Sequence, residues 1–140
     1  MPHARPGIRL TLAVLAVVAT TAGCGRSGDE TTARMVSERF FAAVESGDGE
    51  RACAQLSPDT RAELEKQEQR PCRDAVSEVE LAGGSVVRAQ VYVLNAMVEL
   101  SSGEAAFLDH GQQGWRLSAI GCTPVAGKPA DRPYDCELQS

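Results

Sequence analysis

Imidazole is almost missing from this chain: its 140 residues include two histidines, His3 and His110. A histidine-rich metal site is thereby excluded, and histidine-based acyl transfer is reduced to one candidate outside the N-terminal segment. Neither G-x-x-x-x-G-K-[ST] nor a G-x-S-x-G elbow occurs. No C-x-x-C occurs either, which argues against a thioredoxin-like motif and against the knuckles of a four-cysteine zinc site. No spacing implies a metal or a cofactor. Aromatics are confined to Phe40, Phe41, Tyr92, Phe107, Trp115 and Tyr134, and lysine to Lys66 and Lys128. The formal net charge is −5, whereas nucleic-acid binding needs a basic surface, so no nucleic-acid partner is expected.

Long apolar runs are also lacking. Leu10 to Ala22 is thirteen residues without charge, and a membrane-spanning helix needs about 20. What stands in front of that run is basic: Arg5 and Arg9, with no acid. A positive segment, a short apolar segment and the small residues Ala22 and Gly23 together have the layout of a secretory leader. The junction Thr21-Ala22-Gly23-Cys24 resembles the bacterial lipobox, with Thr21 where that motif usually carries an aliphatic residue. The resemblance implies that residues 1–23 are a lipoprotein signal peptide and that Cys24 is the lipidation site. Two acyl chains give stable anchoring where one gives only marginal binding. The protein is therefore expected at the cell membrane, lipid-anchored on its outer, extracytoplasmic face. The plainer alternative is a secreted protein with a spare cysteine.

Cleavage before Cys24 removes two basic residues and no acid, leaving a mature charge of −7. That charge disfavours a polybasic grip on anionic lipid, so the acyl chains must do the holding. Residues 24–31 read as a flexible polar tether, and residues 32–140 as one domain with a modest core. The remaining cysteines are Cys53, Cys72, Cys122 and Cys136. An even number outside the cytoplasm implies disulfides, and four allow three pairings. Proximity in sequence favours Cys53–Cys72 and Cys122–Cys136.

The period of the apolar residues changes once along the chain. Thr31 or Thr32 can cap a first helix in which Val36, Phe40, Ala43 and Val44 recur at helical spacing, with Gly47 as its stop. Asp48 and Ser57-Pro58 are further start signals. The charged stretch from Thr60 to Arg70 offers Arg61–Glu65 and Glu63–Lys66 pairs on a solvated helix, and Pro71 breaks it. After Gly83-Gly84 the period becomes two. Val87, Ala89, Val91 and Val93 share one face of a first strand, and Ala96, Val98 and Leu100 one face of a second. Glu104 to Leu108 form a third strand, Asp109 to Gly114 a long turn, and Trp115, Leu117 and Ala119 a fourth strand. The tail is proline-rich, with Tyr134 to Leu138 as a candidate edge strand. The expected fold is α+β: N-terminal helices packed on a curved antiparallel four-stranded sheet.

This order is similar to the NTF2-like or cystatin-like architecture. The segments FFAAVESGDGERACAQLSP (40–58), GWRLSAIGC (114–122) and PYDC (133–136) resemble a group of small actinobacterial lipoproteins. The resemblance implies a cone-shaped cavity, for which Phe40, Val91 and Trp115 are the candidate pocket residues, and no particular activity. Two roles are open to such a cavity. One is binding of an envelope protein or a small apolar ligand. The alternative is an isomerase or dehydratase with an Asp or His base inside the cone, for which the candidate is His110, in a turn where polar residues are common anyway.

Overall fold

The computed structural model describes Met1, residues 25–125 and residues 134–140. Cys24, the remainder of the leader and residues 126–133 lie outside the described residues.

The chain begins with α1 (Arg26–Glu45), a helix of 20 residues. Its cap position is Gly25, six residues before Thr31, so the polar tether expected over residues 24–31 is helical from Arg26 onward. Thr31 and Thr32 do not cap it; their hydroxyls donate to the carbonyls of Ser27 and Gly28 one turn back, at 2.8 and 2.9 Å. The helical residues 26–31 rise only about 9 Å, where an extended tether would reach more than twice as far. The buried stripe is Ala33, Val36, Ser37, Phe40, Phe41 and Ala43. The helix stops at Gly47, whose φ of +71° suits glycine.

Two short helices follow with the expected caps. In α2 (Gly49–Cys53) the Asp48 carboxylate accepts from Arg51 N–H at 3.0 Å; in α3 (Pro58–Glu68) the Ser57 hydroxyl accepts from Thr60 N–H at 3.1 Å. Gly49 is required by packing: a Cβ there would run into the Arg73 carbonyl. Pro71 ends the charged segment, and α4 (Cys72–Ala75) continues into a 3₁₀ turn, Val76–Glu78.

The Cys53–Cys72 disulfide joins α2 to α4 inside the core. The Glu63–Lys66 pair forms at 3.2 Å. Arg61 and Glu65 instead serve the staple: Arg61 donates to the Cys53 carbonyl at 2.7 Å, and Glu65 accepts from Cys72 N–H at 2.9 Å.

The remaining chain is a five-stranded antiparallel meander, β1 (Val86–Tyr92), β2 (Asn95–Leu100), β3 (Ala105–Gly111), β4 (Gly114–Pro124) and β5 (Tyr134–Gln139), with spatial order β1-β2-β3-β4-β5. The architecture is α+β, with one strand more than the four expected. The additional strand is the tail, paired with β4 through Cys122↔Cys136 and held there by the Cys122–Cys136 disulfide.

Three irregularities redirect side chains, one of them between Ala105 and Phe107, opposite Ala119 to Cys122. A bulge between Val86 and Arg88 turns Val87 outward, 58% exposed, while Val86 and Val91 are buried. In β4 the pairings Leu108↔Leu117 and Phe107↔Ala119 leave Ser118 as an extra residue. Trp115, Leu117 and Ile120 therefore belong to the main core under the helices, and Ala119 to the opposite face. That opposite face carries a second cluster of Ala105, Ala119 and Cys122, covered by Met97, Phe107, Tyr134 and Cys136. The six-residue turn expected over Asp109–Gly114 shrinks to Gln112-Gln113, because β3 runs on to Gly111 and Gly114 takes a φ of +76°.

Candidate functional site

Phe40, Val91 and Trp115, the expected pocket residues, are brought together, but as packing. They are 0%, 8% and 3% exposed and all belong to the main core. The indole N–H of Trp115 is satisfied by the Asp29 carboxylate at 3.1 Å. His110 stands exposed at the end of β3, edge-on to Trp115 with ring centroids 5.0 Å apart. Among the described residues no group of three or more His, Cys, Asp or Glu is arranged to hold a metal, and no helix is long and apolar enough to cross a membrane.

A concavity lies elsewhere among the described residues. It is an open groove of about 590 Å³ between the C-terminal half of α1 and the extended segment 81–85. Its apolar floor is Phe41, Val44 and Leu81. Helical spacing explains half of this lining. Residues 41, 44 and 45 fall on the flank of α1 just beside the buried stripe, so Phe41 stays 8% exposed and closes the core from its edge. The rim on the helix side is acidic, with Glu38 and Glu45; Glu38 is partly engaged by Arg34 at 3.8 Å.

The other wall is backbone, and it is held rather than loose. Glu104 is 9% exposed and takes Ala82 N–H and Gly83 N–H on its two carboxylate oxygens, at 3.0 and 3.1 Å. Ser101 Oγ accepts from Ser85 N–H at 3.1 Å, and Ser101 N–H donates to the Ser85 carbonyl at 2.9 Å. Gly84 has a φ of +110°, and a Cβ there would lie 2.5 Å from Ser101 Oγ, so the close approach requires glycine. Arg34 fixes the next residue by donating to the Val86 carbonyl at 2.7 Å.

Such a site supplies a hydrophobic floor, two carboxylates on one side and no imidazole. It can hold an apolar group with a positive charge next to it. Sequence reasoning marked Gly83-Gly84 as a boundary, but it had no signal that joins it to Phe41. The groove arises from segments some forty residues apart, and Glu104 reads in sequence as the polar start of a strand.

Comparison of the chain with protein-family models, with curated proteins and with solved structures gives no match.

Proposed function

We propose that the protein is a lipid-anchored, extracytoplasmic binding domain whose partner is an envelope protein, and that the groove between α1 and segment 81–85 receives that partner. The observation that carries the compartment is the cysteine arrangement. Cys53, Cys72, Cys122 and Cys136 are joined to one another, and Cys24 is left over at the end of a basic-then-apolar leader. Stable disulfides suit an oxidising space.

The groove's position supports the binding role. α1 begins at the sheet end where Trp115 holds Asp29, and its C-terminal half reaches the opposite end, where Ser85 meets the β2–β3 turn at Ser101. A helix of 20 residues is about 30 Å long. A partner in the groove would thus meet the domain on the side facing away from the anchor. The apolar floor and the Glu38/Glu45 rim suit a segment that carries an apolar side chain beside a lysine or arginine. An NTF2-like isomerase or dehydratase would need a base inside an enclosed site, and His110 is exposed at a strand end outside the groove.

A photo-crosslinking residue at Ala42, inside the groove, tests this in intact envelopes. The expected outcome is a discrete adduct that is absent when the same residue replaces Gln112, and that is lost when Glu38 and Glu45 are both changed to lysine. An adduct pattern indifferent to position and to charge reversal would refute the groove as the binding site.

A further inference from the structure

The turn between β1 and β2 has two residues, Val93 and Leu94, and both break local rules. Two-residue hairpin turns favour glycine or asparagine where φ is positive. Val93 has a φ of +58°, a conformation that is strained for a β-branched residue. Side chains of a soluble turn are normally polar, yet Val93, Leu94 and Tyr92 are 86%, 57% and 53% exposed. The equivalent turn between β3 and β4 is Gln112-Gln113. The apolar tip is thus a local choice at one turn, kept despite the strain.

Its place in the fold gives it an occupant. His110 N–H donates to the Leu94 carbonyl at 2.8 Å, and His110 is the register partner of Trp115. Leu94, His110 and Trp115 therefore form one cross-strand row, with Trp115 about 10 Å from Leu94 at the usual strand spacing. The indole of Trp115 holds Asp29, in the first turn of α1. Counting back, the helical residues Arg26–Asp29 and the two links to Cys24 limit the distance from Asp29 to Cys24 along the chain to about 12 Å. Residues 25–28 at the helix start are exposed. Asp109, which accepts from Asn95 at 2.6 Å, is the register partner of Arg116.

Resting on the reading that Cys24 is acylated, we propose that the Tyr92-Val93-Leu94 tip is a second membrane contact, dipping into the interface of the same bilayer that holds the acyl chains. The short link from Cys24 puts this end of the sheet against that surface. A valine and a leucine are side chains the hydrocarbon boundary accepts, and a tyrosine beside them suits the interfacial layer. The tip and the anchor then fix the orientation of the domain, which one anchor alone would leave free to tumble.

The test uses the full lipidated chain reconstituted in phosphatidylcholine/phosphatidylglycerol vesicles, with Leu94→Trp compared with Ser102→Trp at the far end of the sheet. Co-sedimentation with the vesicles reads the anchor; quenching of tryptophan emission by brominated acyl chains reads the tip. The expected result is co-sedimentation of both variants, with emission of Leu94→Trp falling roughly twofold and that of Ser102→Trp unchanged. Co-sedimentation with no quenching, or with equal quenching of the two, overturns the tip contact and leaves the anchor standing. Failure of the unsubstituted chain to co-sediment overturns the anchor, and the tip contact with it. A detergent-stable dimer dispersed by Leu94→Asp, with no quenching, would give the tip to a second copy of the chain and also overturn the bilayer reading.

Discussion

Val93 shows what one residue can reveal. A β-branched side chain at positive φ costs about 1–3 kcal/mol, and a side chain 86% exposed regains little by burial. Val93→Gly is therefore expected to stabilise the isolated soluble domain by about 1 kcal/mol in denaturant unfolding, the strain relief outweighing glycine's greater unfolded-state freedom. An unchanged or lower midpoint would show that the turn is relaxed. Glu104 is the opposite case, a carboxylate whose burial is tolerable because Ala82 and Gly83 N–H meet it. Glu104→Ala leaves both donors without their acceptor and is expected to cost about 2–4 kcal/mol. Amide exchange at Ala82 and Gly83 should speed up at the same time. Protection retained at both amides would mean that the groove wall does not depend on Glu104.

Elements show where local rules hold and where distant contacts override them. The Cys53–Cys72 bond closes a separation of 19 residues, and replacing both cysteines by serine should lower stability by about 3 kcal/mol in the chain-entropy model. Thermal unfolding checks this; a loss well under 1 kcal/mol would mean that Arg61 and Glu65 hold α2 and α4 together without the bond. Much of this level was legible in sequence. Asp48, Ser57 and Gly47 mark helix ends by local chemistry, and Ala96, Val98 and Leu100 alternate because β2 is regular. The start of α1 was not legible. Its first turn is fixed by Trp115, 86 residues away, and no nearby residue announces it. The outward turn of Val87 and the change of face after Leu117 were hidden for a related reason: each follows from one extra residue in a ladder, which the partner strand defines. The burial of the three candidate pocket residues in the core has the same ground. Apolar periodicity identified Phe40, Val91 and Trp115 as inward-facing, but packing density, which periodicity does not report, decides whether inward means lining or filling. Trp115→Phe should accordingly fray the first turn of α1 while leaving the rest of the helix protected from exchange, since it removes one hydrogen bond of about 1 kcal/mol. Uniform loss of protection along α1 would show that the indole supports the whole helix by packing.

At the scale of the molecule the parts take on a direction. The start of α1 and the Val93-Leu94 tip belong to one end; the acid-rimmed groove belongs to the other, along a helix of 20 residues. With cleavage before Cys24 as proposed, the charge would be −7 and would not draw the acid-rimmed groove down onto anionic lipid. The central claim of this account is that the chain is held by lipid at Cys24 in an oxidising space. Intact-mass analysis of the protein extracted in detergent from its native membrane tests it most directly. The account predicts a chain that begins at Cys24, carries a diacylglyceryl group there, and takes up no alkylating agent at Cys53, Cys72, Cys122 or Cys136 until reduced. A chain that still bears residues 1–23, or that lacks the lipid, or that alkylates at those four cysteines without reduction, would contradict it.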